Sequence, residues 1–409
     1  MRELTLLPFL LTACATSHPV TTPTPERAAK LTLGVDTHLH LTMSQAAKPI
    51  FTGEPGDGVL ATNPRTKIVN QVTEAQLHDS GVRLVFAALW PPWRTRAGLS
   101  SLDLSVKQAR ELDDFVARRP GFGLATDATS ARRVLASGRI AVVPQLEGGE
   151  GIERVEDVDA LYAAGVRVVT VVHFVSTQLG GAAKGQLSRA LFQGTPGERE
   201  TEGLTPLGRE VVTRMMQLGM VIDVAHGSDR LVSDVLDLTE PLGVPVLISH
   251  TSSRAMLDFE RASPDGLVQR VAKSGGLIGV TLSDKQVETD AAHRLPAHQP
   301  GTCDDVVAHW KHLASIVPPE ALVLGSDMNG FISRPAAGGL CPDGLRHYGD
   351  VNQLWAALVQ AGLPRAALDG MGERLLQLME KVDAHADPDA QAEAKRRFTR
   401  VRDEASALR

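Results

Sequence analysis

The sequence predicts a single α/β barrel of the (β/α)8 TIM type, with long inserts after some of its strands. Eight short β-branched runs alternate with amphipathic stretches, the count such a barrel needs. The runs are apolar almost throughout, which suits a parallel sheet covered by helices. Six of the eight end on a residue that can bind a metal or move a proton, and barrels of this kind carry their chemistry at the C-terminal strand ends. A length of 409 residues fits one long barrel, so no second domain is needed.

Ahead of the first strand, Arg2 and Glu3 precede the apolar run LTLLPFLLTA, which is too short to span a bilayer and ends in small residues. Leu11–Cys14, LTAC, resembles the bacterial lipobox, whose cysteine is acylated and becomes the first residue of the mature chain. Residues 1–14 are therefore expected to be a lipoprotein-type signal and 15–30, rich in Thr and Pro, an extended tether. This places the protein at a bacterial cell envelope, on the outer membrane or the periplasmic face, touching membrane through a lipid anchor only.

The barrel is expected over 31–383, with strands at 31–40, 82–90, 139–148, 166–174, 220–226, 244–250, 276–282 and 321–327. Inserts fill 41–81 and 175–219. Within the second insert, Leu207, Val211, Val212, Met215, Met216 and Leu218 form the apolar stripe of a helix over 205–219. Residues 384–409 read as a charged helix or tail. The formal net charge of −6 and the lack of a basic patch exclude nucleic acid as the main partner and leave a small molecule or peptide. Beyond Cys14 only Cys303 and Cys341 remain, outside any C-x-x-C pair, so they are candidates for a disulfide rather than zinc ligands.

The strand ends carry His38 and His40, Glu147, His173, His226, His250 and Asp327. In a strand, residues i and i+2 point to one side, so His38 and His40 would project together with Leu39 opposite. Any one of these residues has an ordinary reading as a satisfied polar group, but neither that nor chance explains six strand ends. Imidazole and carboxylate without thiolate suit zinc and its first-row neighbours. A glutamate can place one oxygen on each of two ions, and metals about 3.5 to 4 Å apart activate a shared water and polarise a carbonyl.

Residues 203–256 carry GLTPLGRE, DVAHGSD and SHTSSRA, and LEGGEGI and GSDMNG lie on either side. These segments, in this order, resemble the membrane (renal-type) dipeptidases, zinc hydrolases of the amidohydrolase superfamily, over roughly 33–380. The resemblance implies a barrel holding two Zn2+ per chain, with Glu147 as the bridging carboxylate, His226 and His250 on one ion and His38, with His40, on the other. It implies further that His173 contacts the scissile carbonyl, that Arg254 holds the substrate's free carboxylate, and that Asp327 shuttles a proton between the bridging water and the leaving amine. The expected substrates are dipeptides, including those with a D residue at the C-terminal side, and a homodimer is a candidate assembly.

Two departures qualify this. The family usually has His-x-Asp on the first strand where this chain has His38-x-His40, and it often has histidine where this chain has Glu150. His-x-His is common among phosphotriesterase- and lactonase-like relatives, which makes a lactonase or phosphotriester hydrolase the runner-up; an inactive surface-binding lipoprotein is the third reading.

Overall fold

The computed structural model of the chain describes residues 30–42, 71–91, 101–183, 203–258, 261–288, 301–330 and 333–407, with side chains described up to 397. The expected signal with Cys14, the tether up to residue 29, and the inner parts of both inserts lie outside the described residues.

The strands are β1 (Gly34–Leu39), β2 (Val82–Leu89), β3 (Phe122–Leu124), β4 (Ile140–Glu147), β5 (Val168–Thr170), β6 (Val221–Asp223), β7 (Leu247–Thr251), β8 (Leu277–Val280) and β9 (Leu322–Leu324). All pairings are parallel, in the order β1-β2-β4-β5-β6-β7-β8-β9. The ring closes where β1 meets the chain leaving β9: Asp327 N donates to His38 O at 2.8 Å and His40 N to Met328 O at 3.1 Å. Eight strands thus make a nearly closed barrel, the fold expected.

Strand β3 was not expected. One edge of β4 pairs with β2 from Ala141 to Leu146, while the other pairs with β3 at Ile140–Val142 and with β5 at Gln145–Glu147. A run of three residues with a central glycine leaves no periodicity to detect. Strands β5, β6 and β9 stop at Thr170, Asp223 and Leu324, three residues short of His173, His226 and Asp327. Those three residues therefore sit on the turns that follow their strands. Left-handed backbone at His226 (φ 63°) and Asp327 (φ 55°) is incompatible with a continued ladder.

Helices cover the outside: α1 (Glu74–Ser80), α2 (Ser101–Ala117), α3 (Ala128–Ala136), α4 (Glu156–Ala163), α5 (Pro206–Leu218), α6 (Asp229–Thr239), α7 (Asp265–Lys273), α8 (Asp284–Val287), α9 (Cys303–Ile316), α10 (Val351–Gln360), α11 (Arg365–Asp369), α12 (Met371–Asp383) and α13 (Pro388–Ala407). Helix α5 starts with the Thr205 hydroxyl accepting from Gly208 N, has Pro206 in its first turn, and ends at Gly219 with φ 70°. Its expected stripe is buried at Val211, Val212, Met215, Met216 and Leu218. The charged C-terminal segment is helical as α13, with Ala390 and Ala394 buried and Arg397 paired to Asp159 of α4 at 3.3 Å. Among the described residues no helix is long and apolar enough to cross a membrane. Cys303 and Cys341 are joined as a disulfide with Cα atoms 5.8 Å apart, tying the start of α9 to the segment before α10.

Inside the barrel, glycines at 279 and 325 let strands approach. A Cβ at either would lie within about 2 Å of Ser249 O, at 1.8 and 2.0 Å respectively. That carbonyl accepts from Thr37 Oγ1 at 2.6 Å, which fixes β7 against β1 and so fixes His250 against His38.

Candidate metal centre

Every strand-end residue named from the sequence, apart from Arg254, converges on one carboxylate. Glu147, the last residue of β4, has Oε1 3.2 Å from His38 Nε2, 3.2 Å from His173 Nε2, 3.4 Å from His226 Nε2 and 3.8 Å from His250 Nε2. Its Oε2 lies 3.5 Å from His40 Nε2, which is also 3.4 Å from Asp327 Oδ1. His38 and His40 point to the same side, as strand periodicity requires. Asp36 secures them: it accepts from His38 N at 3.1 Å, Ser326 N at 2.9 Å and Tyr348 Oη at 2.8 Å, which joins β1 to the turn carrying Asp327.

The protonation pattern follows from this crowding. Burial works to raise the Glu147 pKa, but the neighbouring His173 and His38, with hydrogen bonds from His173 and His226, hold the carboxyl well below its ordinary value. Burial opposes a charge on His38, yet Glu147 and Asp327 overcome it and raise its pKa to about 9. Burial, then the charges of Arg261 and His173, push His226 well below the imidazole norm; burial, then His38 and Arg261, do the same to His250.

A hydrogen-bond chain fixes the tautomers of that pair. Ser249 Oγ donates to Asp223 Oδ2 at 2.6 Å and therefore accepts from His250 Nδ1 at 2.9 Å. The His250 lone pair is then on Nε2, the atom facing the cluster, 3.0 Å from His226 Nε2. His226 is oriented from the other side, where Arg261 Nε donates to its Nδ1 at 3.1 Å. His250 is thus already in the form that binds a metal through Nε2, while His226 must shift its proton to Nδ1 and give up the Arg261 bond. Asp223 is the anchor: besides Ser249 it receives Gln145 Nε2 at 3.0 Å and Thr170 Oγ1 at 2.5 Å.

The donor set fits metal. Three overlapping groups, His38/Glu147/His250, His38/His40/Asp327 and Glu147/His173/His226, each bring their ligand atoms within 4.8 Å of one another. Among the described residues Nδ1 of His38 and Nδ1 of His40 are buried without a hydrogen-bond partner, while both Nε2 atoms face the carboxylates of Glu147 and Asp327. Nitrogen and oxygen donors with one central carboxylate suit zinc or a first-row neighbour. Glu147 belongs to two of the three groups, so it is the carboxylate they share.

A family model for the membrane dipeptidases, peptidase family M19, matches residues 28–393. The chain belongs to that family. An uncharacterized dipeptidase of Schizosaccharomyces pombe is 30% identical over 215 residues, 52% of this chain and 46% of the relative. Human dipeptidase 3 is 26% identical over 271 residues, 65% of this chain and 50% of the relative. The matched stretches span about half the length of these curated relatives. Among solved structures, a family M19 dipeptidase superposes with a TM-score of 0.67 at 20% identity, covering 87% of this chain and 99% of that one. A metallopeptidase of Rhodobacter sphaeroides, liganded with a phosphinate mimic of L-Ala-D-Ala, superposes with a TM-score of 0.66 at 19% identity, over 86% and 100% of the two chains.

Arg254 departs from the placement expected for this membrane dipeptidase family member. Its Nη atoms form a fork on Asp229, at 2.5 and 2.7 Å, and its Nε donates to Ala262 O at 2.9 Å. It braces the loop after β7 against α6. The arginine that borders the cluster is Arg261, buried, with Nε on His226 and Nη2 on His250 O at 3.0 Å. Burial lowers its pKa to about 10, opposed by Asp327 and Glu147, so it is charged at neutral pH. A second arginine, the half-buried Arg334, donates to Ser326 O at 2.7 Å and to Asp327 O, clamping the left-handed turn that aims Asp327.

Proposed function

We propose that the protein is a metal-dependent dipeptidase that hydrolyses small free dipeptides, L-D dipeptides included, at a binuclear zinc site. The observation that carries this reading is Glu147 standing at the centre of five imidazoles with Asp327 beside it. Glu147 would hold both ions, His38 and His40 one of them, and His226 and His250 the other. Zinc bound there supplies a Lewis acid and lowers the pKa of water toward neutrality.

The chain's own groups do the rest. His173, 3.2 Å from Glu147, donates a hydrogen bond to the scissile carbonyl oxygen as negative charge develops on it. Asp327, held by Arg334 and the backbone of β1, takes a proton from the attacking water and gives it to the leaving amine. Arg261, rather than Arg254, receives the substrate's carboxylate in a charge-assisted fork once His226 has released it. His40 also fits a lactonase-like centre, but a cationic Arg261 at the cluster favours an anionic substrate group. Hydrolysis of a panel of L-L and L-D dipeptides, with and without a chelator, tests the reading; inactivity on all of them with metal bound would defeat it.

We also propose, from LTAC and the Thr/Pro stretch, that Cys14 anchors the protein to a bacterial envelope membrane. Cys14→Ser should release it into the soluble fraction with its activity unchanged; a wild-type chain found wholly soluble with an intact N-terminus would refute the anchor.

A further inference from the structure

Glu150 lies outside the set of groups assigned so far. It follows Glu147 at the mouth of β4, where Gly148 turns the chain back with φ 96°. A Cβ built on Gly148 would lie 2.1 Å from Glu150 Oε2 and 2.7 Å from Oε1, so the carboxylate folds over the residue next to Glu147. Gln178 Nε2 secures this turn by donating to Glu150 O at 3.1 Å and Ile152 O at 2.5 Å. Burial raises the pKa of the carboxyl. Among the described residues no lysine, arginine or histidine forms an ion pair with it. The side chain is half-buried, so a carboxylate without a partnered cation is left open to a cationic group of a ligand.

We propose that Glu150 binds the free ammonium of the substrate and thereby helps set its length. This rests on the dipeptidase reading and deepens it. A free dipeptide is a zwitterion with its two charges on either side of the scissile bond. Arg261, on the segment past β7, stands behind His226 and His250. Glu150, past β4, folds its carboxylate over Gly148, the residue next to Glu147. A substrate whose carboxylate meets Arg261 and whose carbonyl meets His173 would present its amino end to Glu150. A third residue on that end would move the ammonium out of reach and leave Glu150 unpaired.

The test compares L-Ala-L-Ala with its Nα-acetyl derivative in the zinc-loaded wild type and in Glu150→Gln and Glu150→Asp, with metal content and Tm measured on each. The wild type should prefer the free dipeptide by about 10-fold or more in kcat/KM, the worth of one charge-assisted hydrogen bond. Glu150→Gln should collapse that ratio toward one through the KM of the free dipeptide, and Glu150→Asp should give an intermediate ratio. A wild type that cleaves both substrates equally, or a Glu150→Gln variant that keeps the wild-type ratio, overturns the assignment while leaving the dipeptidase reading intact. A zinc-loaded wild type inactive on every dipeptide defeats that reading instead.

Discussion

Replacing Arg261 with alanine should damage cleavage of free dipeptides far more than replacing Arg254. Arg261 is only 7% exposed, and its guanidinium is aligned by His226 Nδ1 and His250 O. Removing one partner of a buried, hydrogen-bonded charge pair costs about 2 to 5 kcal/mol, which corresponds to roughly 30- to 4,000-fold in kcat/KM. A C-terminally amidated dipeptide lacks the carboxylate and should lose much less in the same variant. Arg261→Lys should recover part of the loss, because it keeps the charge without the fork. Arg254 instead faces Asp229, whose side chain is 44% exposed, so its pair is screened; Arg254→Ala should cost on the order of 0.2 to 1 kcal/mol of stability and leave kcat/KM within a few-fold. The assay is steady-state hydrolysis of L-Ala-L-Ala and its amide by zinc-loaded variants, with metal content checked because Arg261 also touches two histidines of the proposed metal site. Arg254→Ala proving the more damaging of the two on free dipeptides, with the amide spared, would refute the reassignment.

Ser249→Ala removes the side chain that joins His250 Nδ1 to Asp223, and metal affinity should fall about 10- to 100-fold in a competition with a chromophoric chelator; unchanged affinity would show that the chain of hydrogen bonds does not orient the ligand. His309 is buried, accepts from Ser253 N and faces Val287 O, and burial depresses its pKa to about 4. A depressed folded-state pKa means stability that is present above pH 6.5 and lost as pH falls through 4. The shift is worth about 3 kcal/mol, so His309→Gln should show a loss of unfolding free energy between pH 7 and pH 4 smaller by about that amount; equal acid sensitivity would contradict it.

The barrel was legible because eight apolar runs spaced by amphipathic helices leave few alternatives, and the members of the cluster because a polar residue ending an apolar run is conspicuous. His38 and His40 were readable from period two alone. Strand β3 was not, since three residues bounded by helices carry no period. Between His250 and Asp265 the chain offers two arginines, and nothing local distinguishes them: Arg254 lies in the recognisable SHTSSRA segment and Arg261 beyond it. Only the fold shows that Asp229, from the start of α6, claims the first and that the loop returns the second to His226. Arg334 was hidden for the same reason, because its task is to grip two backbone carbonyls, which no side-chain pattern announces. The turn that folds Glu150 back toward Glu147 depends on Gly148, so a glycine pair in EGGEGI was a signal of close approach whose target needed coordinates.

The central claim is a two-metal centre bridged by Glu147, and metal stoichiometry tests it most directly. Elemental analysis of the purified protein, equilibrated with saturating zinc at neutral pH and freed of excess, should give two ions per chain. His40→Asp should keep both, because a carboxylate there would still face the partners His40 now meets, Glu147 and Asp327. His40→Ala should fall toward one, with His226 and His250 retaining theirs. One ion or none in the wild type, or two ions retained without Glu147, would contradict the claim.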